Sequence, residues 1–261
     1  MNAKRNGRIG VNIASMLPWS AVPLIGLWIA KWISKKAGFA FWQVLPLRSV
    51  SASGLRKVRV PIKYIEPAWN ATTLLGHLNG ELGSEHMPTM WQDVLFFPSP
   101  SKCEGIVQEV VLAFEGVHEI SHNLSRSGVL VEFHPNLGVS AKDLALSLNE
   151  VVLDTKHIRQ DVGGNLRPAS DYLEDWTRLF PVTRVIHVQA WDEEELEWIL
   201  AGYTKSALEV LLNYALRHGF EGDFVVEYRP GAIGGIVEIL FPWILAKSLR
   251  RVRERVEEII G

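Results

Sequence analysis

A chain of 261 residues with a hydrophobic fraction of 48% can bury a large core, and its length fits one large domain as well as two small ones. A net charge of −2 gives no bulk electrostatic reason to bind a phosphate backbone, and a single cysteine, Cys103, excludes an intrachain disulfide and a cysteine-based zinc cluster. A reducing, cytoplasmic setting is the expectation.

Met1 to Ile9 carries Lys4, Arg5 and Arg8 ahead of an apolar stretch from Ala21 to Ile33, an arrangement like that of a signal or anchor. Pro23, Gly26 and Lys31 interrupt the stretch, which falls short of the roughly 20 residues a membrane span needs. The reading is therefore a first strand over Ile9 to Ser15, a buried first helix from Leu24 to Lys36 stopped by Gly38, and no membrane partner. Phe39 to Pro46 predicts a second strand and Val58 to Glu66 a third, separated by a polar segment from Arg48 to Arg56. Residues 67–103, rich in Gly, Pro and Ser, predict a long loop forming a lid or wall. From Gly105 to Ser125 apolar residues recur at helical spacing.

Four short runs follow, each ending on a residue that can hold a metal or move a proton. They are Gly128-Val-Leu-Val-Glu132, Val151-Val-Leu-Asp154 with His157 just beyond, Arg184-Val-Ile-His187, and Asp223-Phe-Val-Val-Glu227. Helical stretches alternate with them: Ser140 to Leu148, opened by a capping-box-like Ser140-Ala-Lys-Asp143, Ser170 to Phe180, and Tyr203 to His218 closed by Gly219. A last basic and apolar helix spans Phe241 to Ile260, and its interspersed Glu254, Glu257 and Glu258 favour a solvated outer helix over a membrane or nucleic-acid contact. Short strands alternating with helices predict an α/β fold, a single TIM (β/α)8 barrel domain over 1–261, and such barrels collect their chemistry at the C-terminal ends of the strands.

Glu132, Asp154, His187 and Glu227 offer three anions and one neutral nitrogen, a donor set suited to one divalent ion, Mn, Mg, Co or Zn. Singly, each has a plain structural reading: a carboxylate at a strand end caps a loop or joins a salt bridge, and a histidine there is satisfied by neighbours. Their recurrence at one place on successive strands carries the metal-site reading.

The order Glu132, Asp154-x-x-His157, His187, Glu227 resembles the xylose-isomerase-like TIM-barrel superfamily of sugar isomerases and epimerases and endonuclease IV-type DNA-repair enzymes. The likeness covers residues 128–230 and matches Glu132, Asp154, His187 and Glu227 to the family's fourth, fifth, sixth and eighth strands. An irregular or degenerate seventh strand is then sought around Leu196 to Tyr203. The resemblance implies an enzyme, a metal-dependent isomerase or epimerase of a sugar or sugar acid, moving a proton through a metal-stabilised enediolate. Glu132 and Glu227 would be ligands and acid/base pair, Asp154 and His187 ligands, and His157 a contact to a substrate hydroxyl. Glu66, Trp69 and Arg229 are further substrate-binding candidates, each with an equally good packing or ion-pair role. Gln189-Ala-Trp191-Asp192 stands where epimerases often carry an arginine, and the ends of the second and third strands lack the histidines of a trinuclear phosphodiesterase. Other chemistry on the same frame, phosphodiester cleavage or dehydration, and a non-catalytic ligand-binding barrel remain alternatives. The expected partner is a small carbohydrate rather than nucleic acid, with a homo-oligomer left open.

Overall fold

The computed structural model describes residues 9–44, 52–65, 118–121, 129–133, 140–147, 150–161, 164–189, 207–228, 236–238 and 240–261. Eight strands lie in sequence order: β1 (Ile9–Asn12), β2 (Trp42–Val44), β3 (Ile62–Ile65), β4 (His118–Ser121), β5 (Val129–Glu132), β6 (Val151–Asp154), β7 (Thr183–Val188) and β8 (Asp223–Val226). Each pairs in parallel with the next, and β8 returns to β1 through Ile9↔Phe224 and Val11↔Val226, so the curled sheet closes on itself. Parallel neighbours need a crossover, and helices supply it. Six are described: α1 (Gly26–Ala37), α2 (Ala52–Val58), α3 (Ala141–Ser147), α4 (Ala169–Leu179), α5 (Ala207–Arg217) and α6 (Pro242–Ile260), one after every strand except β3 and β4. The predicted 67–103 loop lies outside the described residues.

Local chemistry sets the helix limits. Ser140 Oγ accepts the Asp143 backbone N–H at 3.1 Å and caps α3, while Gly38 (φ +87°) and Gly219 (φ +72°) supply the left-handed turns that end α1 and follow α5. The inner face of α6 presents Leu245, Leu249, Val252, Val256 and Ile260, a helical stripe that is buried.

Three sequence expectations are corrected here. The stretch from Gly105 to Ser125 is not helical to its end, because His118–Ser121 forms β4. Ile120 is the sole β-branched residue in that strand, and the helical spacing upstream hides it. With β4 in place the ring is complete, and β7 pairs directly with β8, so no irregular seventh strand intervenes between them. The first helix, expected to be buried, is buried on one face alone.

Side chains alternate across the sheet. Phe41, Tyr64, Leu130, Val152, Val185 and Val225 form one cluster inside the ring. Ile9, Val11, Trp42, Val44, Val151, Leu153, Ile186, Val188, Phe224 and Val226 face outward into the larger core under the helices. Below the inner cluster Asp223 accepts a hydrogen bond from the Tyr64 hydroxyl and pairs with Lys63 at 2.5 Å. Burial, and then the Asp223 charge, push the Tyr64 phenol well above its ordinary pKa, so it stays a neutral donor at the ring's floor.

Gly10 makes room for this filling. A Cβ at Gly10 would lie 2.2 Å from Cε2 of Phe41, whose ring is buried edge-on to Tyr64 at 5.8 Å between centroids. Gly10→Ala is expected to cost about 1–3 kcal/mol in urea unfolding, with part of the loss regained in the Gly10→Ala/Phe41→Leu double variant. An unchanged midpoint in the single variant would mean that the ring centre is loosely packed.

Candidate metal centre

Among the described residues, a polar one stands two residues beyond five of the six inner-cluster side chains, with the same period of two. Leu130 precedes Glu132, Val152 precedes Asp154, Val185 precedes His187 and Val225 precedes Glu227; on the other side of the ring Gly10 precedes Asn12 and Phe41 precedes Gln43. The period of two therefore carries the apolar filling up into a polar layer at the C-terminal rim. Glu132, Asp154, His187, Asn12 and Gln43 are buried, and the Glu227 side chain retains 19% of its exposure.

His187 Nδ1 lies 3.5 Å from Glu132 Oε2 and 3.3 Å from Glu227 Oε1. One ligand atom each from Asp154, His187 and Glu227 falls within 4.8 Å of the others, and the same holds for Glu132, Asp154 and His157, so two overlapping groups share Asp154. Asp154 Oδ1 accepts the backbone N–H groups of Lys156 (2.6 Å) and His157 (2.8 Å), which fixes the carboxylate. Its Oδ2 is buried and makes no hydrogen bond, and neither does His187 Nδ1.

Three amides organise this layer. Gln43 Nε2 donates to Glu227 Oε1 (3.3 Å), which leaves Gln43 Oε1 as acceptor for His187 Nε2 at 2.9 Å. The reverse amide orientation would set a carbonyl against a carboxylate. His187 thus carries a hydrogen on Nε2, and in the neutral ring Nδ1 is the lone pair facing the acids. Asn12 Nδ2 donates to Glu227 Oε1 at 2.7 Å, and Gln189 Nε2 donates to Glu227 Oε2 at 3.1 Å and approaches His157 Nε2 at 3.4 Å. The Gln189 backbone N–H is in turn held by Thr155 Oγ1 at 3.1 Å.

Among the described residues the charges of this layer do not balance. Two like charges at 4 Å repel by about 4 kcal/mol at an effective dielectric of 20, and here three carboxylates converge in a largely dry space. Burial alone would lower the pKa of His187, but Glu227, then Glu132 and Asp154, overcome it and raise it to about 10. A proton on Nδ1 supplies one positive charge, and a divalent ion supplies two. Asp154 Oδ2, buried without a hydrogen bond, and His187 Nδ1, set between two carboxylates, are ligand atoms of the kind such an ion takes, and the mixed carboxylate and imidazole set fits it. The cluster could hold a metal.

All four strand-end residues picked out from the sequence meet at this rim, and His157 sits in the second group rather than apart from the carboxylates. Glu66, Trp69 and Arg229 lie outside the described residues. The sequence reading missed Asn12 and Gln43 and gave Gln189 no role. Their signal was a polar residue inside a short apolar strand, a place where water is absent and a partner is required. No protein-family model matches the chain, and no curated protein matches it.

Proposed function

We propose that the chain is a TIM (β/α)8 barrel of the xylose-isomerase-like kind, acting as a metal-dependent isomerase or epimerase on a sugar or sugar-acid substrate. The observation that supports this most is the convergence of the buried Asp154 Oδ2, which makes no hydrogen bond, with His187 Nδ1, which faces the Glu132 and Glu227 carboxylates at 3.5 and 3.3 Å. Asp154, His187, Glu132 and Glu227 would hold the ion, which when bound supplies Lewis-acid polarisation of a substrate carbonyl, worth several kcal/mol. The protein's own part is proton transfer. One glutamate takes the proton from the carbon beside the carbonyl, and the other delivers a proton to the opposite face or to the neighbouring carbon. Asn12, Gln43 and Gln189 hold Glu227 in one orientation through amide N–H donors, leaving it no freedom to swing from the reacting carbon. His157, beside Gln189, would meet a substrate hydroxyl.

The test is metal-loaded full-length protein incubated in deuterium oxide with a panel of ketoses, aldoses and sugar acids. Loss of the proton signal next to the carbonyl is expected, dependent on the metal and with one ion bound per chain. A second reading, phosphodiester hydrolysis, draws on the other group of ligands: Glu132, Asp154 and His157 would take a second ion, with Asp154 between the two. Two ions per chain, no exchange with any sugar and hydrolysis of a phosphodiester would replace the first reading with the second.

A further inference from the structure

The outer surface of α1 and the start of α6 do not behave as the solvated face of a soluble domain. Trp28 is 50% exposed, Trp32 41% and Trp243 58%, whereas Trp42 and Trp176 are fully buried. Leu24, 97% exposed in a left-handed backbone conformation (φ +66°), and the exposed Ile25 and Phe241 extend the patch along the turns that lead into the two helices. A shallow groove lined by Trp28, Trp32 and Trp243 joins the helices, and Arg250 Nε, donating to the Lys36 carbonyl at 2.9 Å, ties them into one surface. Apolar surface this concentrated marks an interaction site.

Charge decides what the site meets. The first 65 residues contain eleven Lys and Arg and no Asp or Glu, although the whole chain is slightly acidic. On α1 itself Lys35 and Lys36 are exposed, and Lys31 stands 5.4 Å above the Trp28 ring. On α6 the exposed Lys247 and Arg250 come before the first acid, Glu254. A second copy of this surface is a poor occupant, because a two-fold contact would set basic residues against basic residues. Exposed Trp and Leu ringed by Lys and Arg instead match an anionic bilayer surface, where indoles settle at the headgroup level and each basic residue adds attraction. Among the described residues no helix is long and apolar enough to cross a membrane, so the contact is with the interface.

We infer that this face docks the protein onto anionic membrane surfaces. It departs from the expectation of no membrane partner, which rested on the stretch from Ala21 to Ile33 being interrupted and too short to span one.

The experiment is cosedimentation of the full chain with vesicles of phosphatidylcholine alone and of phosphatidylcholine with about a third phosphatidylserine. Binding is expected to the anionic vesicles, weaker to neutral ones and weaker with added salt. Trp28→Glu/Trp32→Glu should reduce it at least tenfold, and Lys35→Glu/Lys36→Glu, which touches no apolar contact, should reduce it as well. Circular dichroism melts establish that both variants are folded; if the tryptophan pair is not, the lysine pair carries the test. No binding to either vesicle, binding that neither variant weakens, or a dimer in sedimentation velocity that the tryptophan variant dissociates in the absence of vesicle binding would each overturn the inference.

Discussion

Glu132→Gln and Glu227→Gln are each expected to lower the rate of carbon–hydrogen exchange by about 10²–10⁴-fold, the range for a positioned acid or base. Glutamine keeps the size of the side chain, so the ring and its inner filling stay as they are. The two variants should differ in detail. Glu227 receives donors from Asn12 and Gln43 on Oε1 and from Gln189 on Oε2, and an amide in its place must turn an NH₂ toward one of those sets. Glu227→Gln should therefore weaken metal binding as well as turnover, whereas a loss confined to turnover would mean that the amide layer accommodates the change. Exchange kinetics and metal content measured on the same preparations separate these effects. Full activity in either variant would remove the acid/base assignment.

The second large effect concerns the metal and pH together. Asp154→Asn and His187→Ala each delete a donor and should abolish tight binding of a divalent ion. Gln43→Leu deletes no donor but releases the His187 ring, and is expected to cost about 10–100-fold in affinity, the usual consequence of losing a ligand's outer partner. In the metal-free protein His187 titrates near 10, above the 6.5 of an unfolded chain. The stability it lends is thus fully present below pH 6.5 and is lost as pH rises through about 10. An incoming ion must displace the Nδ1 proton, so affinity should climb about tenfold per pH unit up to that point. Calorimetry in buffers of different ionisation enthalpy at pH 8 should register about one proton released per ion bound. Binding without proton release would show that His187 is not a ligand.

Charged residues at strand ends were legible because they break apolar runs in a way that local sequence displays. Glu132, Asp154 and Glu227 are each preceded by three apolar residues and His187 by two, and each stands within one residue of the end of a strand. The helices α3, α4 and α6 were legible from caps and period. What escaped notice was context-dependent. Gln43 and Asn12 are polar residues of modest signal, and their importance comes from facing Glu227, at sequence separations of 184 and 215. Strand β4 was obscured because four residues carry too little propensity to oppose a helical period beside them. The outer face of α1 was misread because Trp and Ile count as core in any hydropathy tally, and a tally does not say on which side of the helix the rest of the protein lies.

The bond between Asn12 and Glu227 joins the first strand of the ring to the residue just past the last. During synthesis β1 emerges with nothing to pair on that side, and it waits through six further strands before its neighbour exists. The acid that Asn12 steadies is likewise the last of the four to leave the ribosome. No chain that stops short of Glu227 can bring the four candidate ligands together, so ion capture at full strength would report that the eighth strand has been made and the seam has shut.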